Sequence, residues 1–331
     1  MPVTGDERVL FRAGKRRVLL VSLLSLGVWS IFPTGGDAQY AKFSGDWQPG
    51  TPGPAVDTSP AAIRRTVKEL QAFPEEEFPS AVPPAAALGL ATLKHQLRDL
   101  LLQALKGSTE VQASAVREVL EQQLLAAGVE LIGSDWNRRT HPYGNVVGIK
   151  VETPSEMTGG LAVTTTLAIP CGEDSSLYLL RREEGRWQLQ IAVESDGYTK
   201  ISGAQGNLRY AASPRDASGE WFAVVTRTNP WCTSNWHAIQ YRVLRPAESP
   251  YEPRELFSKV AGIYLGYDDM EKLVATKTSL HLSFWDWQGL SVDLFTRARV
   301  ENYEVVGQTV KRRPPIANSP EGFLNEWSDL A

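Results

Sequence analysis

The chain has 331 residues, 42% of them hydrophobic and 22% charged, with a formal net charge of −4. That is an ordinary globular balance, with room for one large or two modest domains. Its lysines and arginines are scattered rather than gathered into a stripe that would neutralise phosphates, which disfavours nucleic-acid binding.

Lys15, Arg16 and Arg17 precede an apolar run from Val18 to Phe32, and small residues at Gly36 and Ala38 follow. A positive start, an apolar stretch and small residues before a polar sequence are the parts of an export signal. The signal is predicted over 1–38, with cleavage near Ala38, and the expected location is extracytoplasmic, either periplasmic or secreted. The alternative is a retained anchor, but a spanning helix needs about 20 apolar residues and this run is shorter. Membrane contact is expected only through this segment, if it is retained.

Residues 39–57 are rich in Pro and Gly without a period and read as a flexible linker. A single globular body is expected over 58–331, since the helical segment is short of a core of its own. In its helical part, 58–133, Ser59 and Pro60 cap a first helix carrying Ile63, Val67 and Leu70. Pro83 and Pro84 open a longer helix with a stripe of Leu90, Leu93, Leu97, Leu100 and Ala104. Gly107 ends it, Ser108 caps a third, and Val111, Ala115, Val119, Leu120 and Leu124 continue the period to Gly128.

From about residue 143 the period changes. The β-rich part, 143–312, contains short β-branched and aromatic runs such as GLAVTTTLAI, RWQLQIAV and HAIQYRVL. LYLLRREEGRWQLQI reads as a hairpin with its tip at Glu183–Glu184–Gly185, placing Trp187, Leu189 and Ile191 on one face. Gly307–Gln308 makes a second tight turn. Strands follow strands without intervening helices, so the pairing should be antiparallel. A helix over 319–330 should dock through Phe323, Leu324, Trp327 and Leu330. The expected fold class is α+β, with three N-terminal amphipathic helices packed on a mainly antiparallel β-sheet or sandwich and a short C-terminal helix.

Cys171 and Cys232, the two cysteines, each fall where a strand gives way to a turn. In an exported chain that pattern reads as a disulfide, which closes a loop worth about 4 kcal/mol on the chain-entropy model. The alternatives are two unreactive buried thiols and a free nucleophilic Cys232 beside His237. The four histidines form no zinc spacing, and the acidic turn with Asp268, Asp269 and Glu271 matches no EF-hand, so no metal or cofactor is expected. There is no GxSxG elbow and no phosphate-binding glycine loop.

In LSFWDWQG, strand alternation puts Leu280, Leu282 and Phe284 on one face with Asp286, and His281, Ser283, Trp285 and Trp287 on the other. With Trp231 and Trp236 these tryptophans suggest an aromatic binding surface for a protein, peptide or glycan. The leading functional expectation is thus a non-catalytic binding module. One alternative is an envelope-associated structural protein without a small-molecule site. The other is a hydrolase, for which the carboxylate–histidine pairs Asp286 with His237 and Asp268 with His281 are the candidates.

Overall fold

The computed structural model describes residues 56–74, 79–106, 112–129, 131–133, 143–170, 172–228, 236–264, 272–290 and 293–313, together with Pro320 and Leu324. The predicted export signal, nearly all of the linker, Cys171, Cys232, Trp231 and Asp268 lie outside these residues, and no disulfide is found among them. No described helix is long and apolar enough to cross a membrane.

Among the described residues three helices come first. In α1 (Pro60–Gln71) the Ser59 side chain accepts from the Ala62 amide, and Pro60 occupies the first helical position, where its missing N–H costs nothing. Helix α2 (Pro84–Leu105) buries Leu90, Leu93, Leu97, Leu100 and Leu101 but also Lys94, Gln96 and Arg98. Helix α3 (Ala113–Ala126) buries Val116, Leu120 and Leu124, while Val119, expected on the stripe, is 42% exposed. Gly128 ends α3 at φ +72°, and the Arg64 guanidinium of α1 donates to the Ala126 and Ala127 carbonyls that the helix end leaves unmet. Leu70 seats α1 closely against its neighbours, because a Cβ on Gly89 or on Gly144 would stand 2.8 or 2.5 Å from it.

Twelve strands follow among the described residues. The first sheet is an antiparallel meander of β1 (Val146–Glu152), β2 (Gly160–Ile169), β3 (Gly172–Glu183) and β4 (Arg186–Val193). The second is β5 (Gly206–Ala212), β6 (Ala223–Thr228), β7 (Trp236–Arg245) and β8 (Arg254–Tyr264). The third is β9 (Lys272–Ala275), β10 (Ser279–Leu290), β11 (Asp293–Val306) and β12 (Thr309–Arg312), in that spatial order. A single register pair, Asp286 with Ile263, continues the second sheet into the third.

The layers are stacked by three cores. One joins α1, α2 and α3 to the face of the first sheet that carries Leu161, Val163, Leu167, Tyr178 and Leu180. The opposite face, with Ala162, Leu177, Leu179, Ile191 and Val193, packs on Trp221, Ala223, Val225 and Leu244 of the second sheet and its loops. The second sheet then turns Phe222, Val224, Ile239, Tyr241 and Val243 towards Leu280, Leu282, Phe284, Tyr303 and Val305 of the third. Each fully buried leucine or phenylalanine contributes about 1.5–3 kcal/mol relative to exposure.

This arrangement corrects the expected fold class. The β-structure is not one sheet or sandwich carrying a helical layer. Among the described residues it is three four-stranded antiparallel sheets in series, and the helices share their apolar core with the first of them. Among the residues of the expected C-terminal helix only Pro320 and Leu324 are described, and Leu324 is 63% exposed. The reason for the difference is local. A strand reads the same whether its neighbour is one more strand of its own sheet or the first of another, and here continuity is reduced to one bridge.

Two further readings change. The β3–β4 hairpin turns through Glu184 and Gly185 at φ +50° and +77°, a two-residue loop of the type that matches strand twist. Between Gln188 and Ile191 its register shifts, so Trp187 and Leu189 join the helix-side core while Ile191 goes to the opposite one. One extra residue on β4 thereby breaks the predicted shared face. The strand β5, GNLRYAA, was not expected as a strand, and LSVDLFTRARV and NYEVV contribute to one long strand, β11.

Candidate functional site

Strand β3 begins with two carboxylates that alternation sends to opposite faces. Asp174 turns to the helices and is 1% exposed. Lys94 of α2 pairs with it at 2.5 Å, the Ser195 hydroxyl donates to it at 2.6 Å, the Tyr198 hydroxyl at 2.8 Å and the Gln205 amide at 3.3 Å. Lys94 also donates to the Ser195 carbonyl and lies 3.1 Å from its hydroxyl. Four residues along α2, Arg98 meets Glu194 at 2.9 Å, and Tyr178 donates to the same carboxylate at 2.6 Å. Burial, reinforced by Glu194, raises the Tyr178 hydroxyl well above its ordinary value, and burial with Asp174 does the same to Tyr198.

His95 and Asp196 close this network at 2.8 Å. Burial alone would raise the Asp196 carboxyl, but the His95 hydrogen bond and the nearby Lys94 charge hold it below its usual range. His95, Glu194 and Asp196 bring one potential ligand atom each within 4.8 Å of one another. Glu194 already accepts from Arg98 and Tyr178, so the group works as an ion-pair network rather than an open ligand set.

Glu173, the other carboxylate, turns away from the helices and accepts from the Asn207 amide at 2.8 Å. It opens a cleft of about 830 Å³ between the first sheet and strands β5 and β9. The lining is made of consecutive residues: 147–150 of β1, 153–156 beyond it, 207–212 of β5 and 273–275 of β9. In a strand, neighbours in sequence point to opposite faces, so a run of consecutive residues presents a backbone edge and not a face. Consistently, β1 and β5 end the strand order of their sheets and β9 pairs with β10 alone among the described strands, while the start of β1 also accepts the Ile132 and Gly133 amides on its Val146 and Val147 carbonyls.

Thr164, Thr166 and Ser175 form the floor, with Thr166 and Ser175 joined at 2.9 Å. Glu152 accepts from Tyr210 at 3.1 Å and pairs with Lys150 at 2.8 Å. Burial, followed by the Glu152 charge, raises the Tyr210 hydroxyl. Tyr210 is the one aromatic residue in the lining. The network and the cleft are mechanically linked. Asp174 pins the start of β3 and the 198–205 segment to the helices, and Glu173 and Asn207, on the same two pieces of chain, shape the cleft wall.

A third polar group lies between the second and third sheets. Glu301, 0% exposed, meets Lys259 at 2.9 Å, Arg299 at 2.7 Å and Arg312 at 2.7 Å, and accepts short hydrogen bonds from Tyr241 and Tyr303. Burial would raise its carboxyl, but Lys259 and Arg299 lead in holding it at about 2.

The sequence-predicted residues are not brought together in the cleft. His237 and Asp286 both stand in register with Ile263, one on each side of β8. Two strand spacings, about 10 Å, therefore separate their backbones. His281 is half-buried, with its Nδ1 2.7 Å from Asn302 Oδ1, and its proposed partner Asp268 lies outside the described residues. Trp236, Trp285 and Trp287 belong to β7 and β10, and Trp285 is half-buried. Sequence reasoning missed Lys94, Glu194, Ser195 and the cleft. The available signal was two cations four apart among the leucines of α2.

Comparison with protein-family models, with curated proteins and with solved structures finds no match to this chain.

Proposed function

We propose that the chain is a non-catalytic binding module that holds an extended peptide segment of a partner protein in the cleft between β1, β5 and β9. The observation that carries this reading is that β5, β9 and the part of β1 beyond Val147 pair on one side among the described residues and line one space. Backbone groups along such an edge pair with an added strand, and pockets on alternate sides then read its side chains. The six residues 207–212 offer about 20 Å of edge, enough for an extended segment of similar length. A glycan is the poorer fit, since sugar rings stack on aromatic faces and Tyr210 alone supplies one.

Hydrolysis is disfavoured by position. Among the described residues the carboxylate and histidine that converge, Asp196 and His95, lie in the network between α2 and β4 and are not part of the cleft lining. Export, supported by the basic and apolar pattern of 15–38, would present the cleft to an extracytoplasmic partner.

The test uses Gly148, which lines the cleft and whose added Cβ would meet nothing within 4 Å. An array of short peptides is probed with the full chain and with Gly148→Tyr. Binding by the parent and its loss in a variant of unchanged melting temperature is the expected result. Peptides that bind both proteins equally, or an array that binds neither, would sink the proposal.

A further inference from the structure

Arg181 stands near the end of β3, in register with Gly160 on β2 and Gln188 on β4, and is 3% exposed. Arg98, Arg242 and Arg245, buried like it, each meet a carboxylate: Glu194, Glu255 and Glu220. Arg227 meets the Gln240 side chain and the Gly203 carbonyl instead, and Arg181 has neither kind of partner on two of its nitrogens. Its Nε and Nη2 are buried with no hydrogen-bond partner. These two donors lie along one edge of the planar guanidinium, the fork that meets a carboxylate or phosphate group with two parallel bonds. Trp221 lies against the guanidinium, 4.5 Å from the ring centroid to its central carbon.

Beside it stands an ion pair, Arg215 with Glu183, whose charges act on Arg181 in opposite senses. Arg215 is partly exposed at the end of the β3–β4 hairpin, bonded to Glu183 at 2.6 Å. Burial, followed by the Arg215 charge, pushes Arg181 down to about 10, which leaves it charged at neutral pH. The covered fork itself has no anion of matching shape on its Nε–Nη2 edge.

We propose that Arg181, covered by Trp221, is the centre of an oxyanion site that takes a carboxylate or phosphate group on its Nε–Nη2 edge, with Arg215 at its mouth. The group enters beside the hairpin tip, where Arg215 exchanges Glu183 for the incoming charge. Trp221, on the segment joining β5 and β6, shifts to admit it. The site is separate from the peptide cleft and does not rest on it.

The experiment follows thermal unfolding and tryptophan fluorescence of the full chain. Sodium phosphate and sodium acetate are titrated separately, each against sodium chloride at matched ionic strength. One of the two anions should raise the melting temperature of the parent to a plateau and change its fluorescence, and which one does so identifies the group as phosphate or carboxylate. The fluorescence change should vanish in Trp221→Phe, and Arg215→Ala should weaken the response several-fold. Arg181→Met should lose the response while being no less stable than the parent. Should that variant fail to fold, Arg181→Lys keeps the charge without the fork and is expected to lose the response too. Equal responses in the parent and the Arg181 variants, or no effect beyond that of chloride, would overturn the assignment.

Discussion

Replacing Glu301 by glutamine keeps the shape of the side chain and removes its charge from the space between the second and third sheets. The carboxyl is held at about 2, against 4.5 for a free glutamate. A displacement of that size corresponds to about 3 kcal/mol of folding free energy. The folded value is depressed, so this stabilisation is present in full above the unfolded value of 4.5 and is lost as pH falls from there towards 2. Glu301→Gln should therefore lose about 3 kcal/mol in urea unfolding at neutral pH, since Lys259, Arg299 and Arg312 are left around a neutral amide. The gap between variant and parent should narrow at about pH 3, where the unfolded carboxyl is mostly protonated. A variant within about 0.5 kcal/mol of the parent at neutral pH would refute the reasoning, because a change of that size is what an ordinary surface substitution produces. So would a gap that stays constant down to low pH.

Lys94→Met should cost about 3–5 kcal/mol in urea unfolding, because it leaves Asp174 charged and buried, and adding Asp174→Asn in the same chain should recover much of the loss. Glu184 occupies the left-handed region at φ +50° without a glycine's freedom, so Glu184→Asn should stabilise the β3–β4 hairpin by about 0.5–1 kcal/mol, read as a higher melting temperature.

The legible parts of this chain were those decided by neighbours in sequence. Ser59 and Pro60 announce α1, Gly128 ends α3, and the alternation of Leu280, Leu282 and Phe284 identifies the inner face of β10 before any partner is known. What escaped depends on distant chain. Gln190 reads as one more alternating residue, and only the register with β3 reveals the extra position. The strand β5 looks like a loop because it begins with Gly206 and Asn207, and what holds it there is the ladder with β6. The charged network was half visible. Lys94 and Arg98 interrupt an apolar stripe, and Glu301 alternates with Tyr303 and Val305, but their partners are about 100 and 60 residues away or less, beyond any local pattern.

The order of the layers has a consequence for how the molecule assembles. Helices, first sheet, second sheet and third sheet follow one another in space as they do along the chain. A chain emerging from its N-terminal side can therefore cover each apolar face with the next segment to appear, without waiting for a distant one. Every sheet is a run of adjacent hairpins, so ring closure within a layer involves short loops and small entropy losses. The face left uncovered at any moment is that of the newest layer alone, which confines the risk of mispairing to one growing end.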